Sequence, residues 1–252
     1  MARKNKIAAN ETPATEIAAL EAVVATIEAT EVQEPEATVS TEPATEQSFK
    51  ELLDAVTPEQ TDIMLTITSG HISQRVVFED TKNPDNANIH RTLKKVRGSL
   101  VRAYAAKVMV AAQQDPVFIN RTLLDGSCYN VYAIGKYGDL VDALAGTGMT
   151  NAINIAITRS LFAFAKAGLE FNGEMAKAAA SDKIRVAESL RKHLIRHTVS
   201  ASTAPTQASS TMQALETLKI VRIEGSRKNP VYKLLDTPQA RRLQEVVEAM
   251  AA

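Results

Sequence analysis

The chain has no Trp, a single cysteine, and only 4% aromatic residues in 252. One cysteine, Cys128, excludes a disulfide framework within the chain and fits a reducing compartment. Scarce aromatics leave a core to be built from Ala, Leu, Ile and Val, a composition that suits helices. No apolar run is long enough for a membrane-spanning helix. No apolar signal core follows Arg3, Lys4 and Lys6, so the expectation is a cytoplasmic protein with no membrane partner.

Catalytic signatures are also missing. There is no P-loop and no Gly-x-Ser-x-Gly. Gly146-x-Gly148 lacks the third glycine of a dinucleotide fingerprint, because Asn151 stands in its place. His193 and His197 have metal-ligand spacing, but Leu194 follows the first and no third ligand is evident. Asp139 and Asp142 are accounted for as helix-start acids. Cys128 has no positioned base. The expectation is a non-enzymatic protein with no cofactor and no metal.

Charge is the unevenly distributed quantity. Net charge is zero, yet residues 7–48 hold nine Glu and no Lys or Arg. From residue 49 onward there are 26 basic and 20 acidic residues, a surplus of six. A basic body behind an acidic tail points to a polyanion partner. Residues 1–48, rich in Ala, Thr, Glu and Pro, are expected to be disordered. Within them Ile17, Leu20, Val24 and Ile27 recur at helical spacing.

The rest reads as mainly α with a small β element: a helical domain over 49–173 carrying a small β-hairpin, then a domain over 174–252. A short helix is expected around Phe49–Val56, stopped by Thr57-Pro58. β-Branched runs on either side of Ser69-Gly70 predict a hairpin over 62–79. A long amphipathic helix is expected over 89–113, with Ile89, Leu93, Val96, Leu100, Tyr104 and Val108 inward. A short helix over 139–145 and an Ala-rich one over 149–167 follow, the latter ended by Gly168.

The helix over 89–113 lacks acids altogether. Between Asn86 and Gln114 stand Arg91, Lys94, Lys95, Arg97, Arg102 and Lys107. Such a row repels itself unless a polyanion lies beside it. Gly98 in the same helix costs about 1 kcal/mol relative to Ala, which a close approach by a backbone or phosphate would explain. Lys136 lies among Tyr129, Tyr132 and Tyr137; these could stack on single-stranded bases or belong to the core.

The C-terminal stretch predicts a basic helix over 182–197, with Ile184, Ala187, Leu190 and Leu194 inward. A polar loop, a helix over 207–219 and a hairpin follow: Ile220–Ile223, a turn over 224–229, then Pro230–Leu235. Thr237 caps a last helix buried by Leu243, Val246, Val247 and Met250. This order resembles the winged-helix family of DNA-binding domains, over roughly 174–236. The resemblance implies base or phosphate contacts from Gln207, Ser209, Ser210, Thr211 and Gln213, and from Arg222, Arg227, Lys228 and Asn229 on the wing. Pro205 and the Ser/Thr run over 200–206 depart from the family, which has a short helix there.

The runs Ala178–Val186, Lys192–Ala201 and Ala204–Met212 extend the comparison. With them the layout resembles the single-stranded-DNA-binding RNA polymerase cofactors (Drc-type) of bacteriophages that carry a virion RNA polymerase. That resemblance implies single-stranded DNA as ligand, homo-oligomeric or cooperative binding, a phage RNA polymerase or replication protein as partner, and the host cytoplasm as location. A double-strand-specific winged-helix factor and a structural adaptor remain alternatives.

Overall fold

In a computed structural model the described residues are 47–122 and 128–250. The expected acidic tail lies outside them except for Gln47 and Ser48. Helices dominate, with one small antiparallel sheet.

Helix α1 (Phe49–Ala55) starts with a capping box: Ser48 accepts from Glu51 N at 3.3 Å, and Glu51 accepts from Ser48 N at 2.7 Å. Helix α2 (Pro58–Lys82) repeats the device with Thr57 and Gln60, with Pro58 in its first turn. The hairpin expected over 62–79 is therefore wrong: these residues form the middle of α2. Thr68, Ile72, Arg75 and Glu79 are buried at steps of four, three and four, a helical period. The alternation of β-branched residues that suggested strands comes largely from the solvent face. Thr61, Thr66 and Thr81 satisfy their hydroxyls on carbonyls four residues back, so they tolerate the helix.

The single helix expected over 89–113 is two. Helix α3 (Ala87–Leu100) is capped by Asn86, and helix α4 (Ala103–Ala111) begins after an extended Arg102. The break has a packing reason. α3 lies against α2 and buries Leu93, Val96 and Leu100, whereas α4 is nearly apolar all round and contacts α1, α2 and a later helix, α5. A short 3-10 turn, Pro116–Asn120, follows.

Helix α5 (Val131–Leu144) begins eight residues before the expected start at 139 and is central to the core. Gly135 and Gly138 lie inside this helix. A Cβ on Gly135 would lie 3.1 Å from Thr92 Cγ2, and one on Gly138 would lie 2.7 Å from Ser99 Oγ. They are the positions that let α3 approach α5. Tyr129, Tyr137 and Phe118 form an aromatic cluster, with centroids 5.3 and 4.8 Å from Phe118. Both tyrosines are thus core residues, while Tyr132 is half-buried.

Helix α6 (Ala152–Lys166) ends before Gly168, at φ +65°, close to expectation. Strand β1 (Phe171–Asn172) leads into helix α7 (Gly173–Ala180). The basic helix expected over 182–197 is absent apart from the short α8 (Glu188–Arg191). This segment folds back on the end of α7 instead. His197 and Val199 donate backbone N–H groups to Ala179 and Ala180, and the Arg196 guanidinium donates to the carbonyls of Ala178 and Ile184. The carbonyls at the end of α7 need partners, and this return supplies them.

Helix α9 (Ala204–Thr217) starts three residues before the expected 207, with Pro205 in its first turn, where a missing N–H is harmless. Strands β2 (Val221–Gly225) and β3 (Pro230–Leu234) form the hairpin as expected, and the sheet order is β1-β3-β2. Gly225 needs its φ of +80°, and a Cβ there would lie 2.7 Å from the Asn229 carbonyl oxygen. Helix α10 (Pro238–Ala249) is capped by Thr237, and Leu243 and Val247 are buried. Val246 is half-buried and Met250 is exposed, so the inward face is narrower than expected. Residues 46–252 group into one unit, in which α9 packs on both α5 and α7.

Candidate nucleic-acid interface

The outer face of α3 is the most basic helical surface among the described residues. Leu93, Val96 and Leu100 turn inward. Arg91, Lys94, Lys95 and Gly98 lie opposite at steps of three and four, and all are exposed. Arg97 is exposed on the flank. Among the described residues none of these four cations makes a side-chain hydrogen bond or ion pair. A Cβ added to Gly98 would meet nothing within 4 Å. The fold therefore has no steric need for a glycine there.

Arg102 belongs to the same surface but is tethered. Its guanidinium donates to Tyr104 Oη at 3.0 Å, and Tyr104 donates to Asp142 Oδ1 at 2.8 Å. Burial raises the Asp142 carboxyl above the usual carboxylate range, against the lowering effect of the Tyr104 hydrogen bond.

Lys136 does not join this surface. It is buried, and its ammonium donates to Asn151 Oδ1 at 2.8 Å. Burial pulls its pKa down to about 8, with Asp139 opposing the shift. Around it lies a polar network that sequence reasoning missed. Asn154 donates to the Lys136 carbonyl and to Asp139 Oδ2, and accepts from Thr211 Oγ1 at 3.0 Å. Asp139 Oδ1 takes the backbone N–H groups of Thr150 and Asn151. Lys136 thus ties α5 to the start of α6 and, through Asn154, to α9. Its position one turn before Asp139 was the available signal.

Helix α9 offers little charge. Ser210 is buried and accepts from Asn130 Nδ2 at 3.2 Å, and Thr211 is buried in the network above. Both are removed from the implied contact set by burial. Gln207 and Gln213 are half-buried, and Ser209 is exposed. The outward row Thr206, Ser209, Gln213 and Glu216 contains no cation.

The wing is basic. Arg227 and Lys228 are exposed at its tip, with Asn229 beside them. Arg222 is exposed and pairs with Glu224 at 2.7 Å. Lys233, not singled out from the sequence, stands directly across the strands from Arg222, so two cations share one face. The irregular segment between α7 and α9 adds exposed Lys183, Arg185, Arg191 and Lys192.

Arg75 is a second residue missed from the sequence. It is buried, paired with Glu79 at 2.8 Å, and donates at 2.5 Å to each of the carbonyls of Ile119 and Tyr129. Its role is architectural: it fastens the chain on both sides of residues 123–127 to α2. His193 packs its ring on Phe164 at 5.8 Å, and among the described residues no group of His, Cys, Asp and Glu has the arrangement of a metal site. A cavity of about 730 Å³ between α1, α5 and α10 is lined by Lys50, Arg241 and Arg242, but both arginines are engaged by Asp236 and Glu245.

Comparison with protein-family models, curated proteins and solved structures finds no match for this chain.

Proposed function

We propose that this chain is a non-enzymatic protein that binds single-stranded DNA through its phosphates and acts in phage replication or transcription. The observation that carries the reading is the outer face of α3: four exposed cations, no acid in the helix, and a glycine the fold does not require. Unpaired cations on one face release counterions when a polyanion binds, and that release drives association. The wing supplies a second basic surface. A phage RNA polymerase or replication protein is the partner class that the cofactor resemblance brings.

A second reading is duplex binding by a winged helix. What supports this reading is the order α6-β1-α7-α9-β2-β3, with β1 beside β3, which resembles that family once residues 181–203 are taken as an insertion. In this alignment α7 takes the place sequence reasoning sought at 200–206. We rank it second because the helix that would enter the groove presents no cation, and Ser210 and Thr211 are buried.

Fluorescence anisotropy with oligo-dT and a random duplex of equal length, over a salt series, tests both. The primary reading expects tighter binding to the single strand, lost on Arg91→Glu with Lys95→Glu. Loss on Arg227→Glu with Lys228→Glu alone, with duplex preferred, would move the function to the wing. Binding to neither at low salt overturns both readings.

A further inference from the structure

The corner between α2 and α3 holds a histidine with a hydrogen-bond acceptor on each side of its ring. His90, near the start of α3, sets Nδ1 3.2 Å from Asp80 Oδ1 and Nε2 2.9 Å from the Asn83 carbonyl oxygen. That carbonyl also accepts from the Asn86 backbone N–H at 3.0 Å. A neutral imidazole has one N–H. It donates to one of the two oxygens and turns a lone pair on the other. The imidazolium alone satisfies both. The His90 side chain is 30% exposed and that of Asp80 58%, so the pair exchanges protons with solvent.

The other charged groups of the packed elements are engaged or exposed. On α2, Glu79 is taken by Arg75 and by the Asn83 side chain, and Lys82 is exposed at the helix end. Asp85 is exposed in the turn. α5 packs on α3 at Thr92 and Ser99. There Lys136 is held by Asn151, Asp139 by Asn154 and Asp142 by Tyr104, and Tyr132 is half-buried. α4 brings half-buried Lys107. Among the described residues, Asp80 and Asn83 are the only hydrogen-bonding or ion-pairing partners of the His90 ring.

His90 also heads a row of cations. His90, Lys94 and Arg97 follow at steps of four and three, beside the row of Arg91, Lys95 and Gly98. Protonation raises the charge of the Asp80–His90 pair by one unit. With no anion bound, that charge is opposed by Lys94 one turn on. Phosphates lying on the two rows reverse the balance, because each favours the imidazolium. We propose that His90 is a proton-switched member of the α3 surface, so that a polyanion binds there with uptake of a proton at this ring. The proposal rests on the nucleic-acid reading and adds a regulation to it. Affinity for the strand rises as pH falls, and by reciprocity the bound strand holds the proton. Histidine is the side chain whose charge changes between about pH 5 and 8, a range over which exposed lysines and arginines keep theirs.

Anisotropy with oligo-dT at low salt, at about pH 5.5 and about pH 8, compares the full chain with His90→Gln, which keeps a side-chain donor for the Asn83 carbonyl. His71, His193 and His197 are present in both proteins, so the difference between them isolates His90. On going to the lower pH the unaltered chain should gain at least about fivefold more affinity than the variant, the worth of one charge near a phosphate in water. Its salt slope should steepen by about 0.7, and the variant's should stay constant. Calorimetric titration in two buffers of different ionisation heat should show proton uptake that His90→Gln lacks. Equal pH responses, with oligo-dT bound by both proteins, overturn the inference and leave the nucleic-acid reading standing. Binding of the unaltered chain without proton uptake overturns it whatever the variant does. No binding of oligo-dT at either pH overturns that reading and the inference with it.

Discussion

Gly98→Ala separates what the fold needs from what a ligand needs. Gly98 is helical, exposed and surrounded by open space, so a methyl group costs nothing sterically. Replacing glycine by alanine in a helix interior stabilises by about 0.5–1 kcal/mol, chiefly by restricting the unfolded chain. For a protein of this length that raises Tm by about 1–4 °C. If a phosphate backbone packs on Gly98 between Arg91, Lys94 and Lys95, the same methyl pushes it away, and a misfit of about 1–3 kcal/mol weakens binding roughly 5- to 150-fold. Differential scanning calorimetry and anisotropy with oligo-dT read the two effects on one variant. A stabilised protein with unchanged affinity would refute the close approach. A destabilised one would refute the helix argument itself. Gly225→Ala is the contrast: with φ at +80° and a backbone oxygen 2.7 Å from the added Cβ, it should destabilise by about 1–2 kcal/mol.

Arg75→Ala should cost about 3–5 kcal/mol in urea denaturation, because it strands a buried Glu79 and two carbonyls; Arg75→Met with Glu79→Leu should recover part of that, and an undisturbed Arg75→Ala would sink the account. Lys136 gives a pH dependence. Its folded pKa of about 8 lies below the ordinary 10.5, so between these values the unfolded chain holds the proton that the native state has lost. Stability therefore rises with pH across that window, by on the order of 3 kcal/mol, and the penalty is fully present below about pH 8. The stability of the unaltered chain relative to Lys136→Met should rise from pH 7 to pH 10; a flat difference would refute it. Deleting residues 1–46 removes nine Glu from a chain whose remainder is basic, and should tighten oligo-dT binding at low salt, an effect lost at high salt. Unchanged affinity would show that the acidic run does not screen the basic surface.

Elements with a cap at one end and a stop at the other were legible in the sequence. Thr57-Pro58 after a short helix, Thr237 with Pro238, and Gly168 after an Ala-rich run all name local interactions, and each marks a boundary that holds. The misreadings came where tertiary contact overrides local pattern. α2 looked like strands because its exposed face is β-branched, yet its buried period is helical. Residues 182–197 have helical spacing, but the end of α7 takes their backbone donors and Arg196 instead. Gly135 and Gly138 lie inside α5, and only the approach of α3 explains them. For the candidate site, a stretch with cations and no acids is visible in sequence, and Arg91, Lys94, Lys95 and Arg97 on it are exposed. Lys136 was misplaced because charge says nothing about burial until Asn151, Asn154 and Asp139 are seen around it.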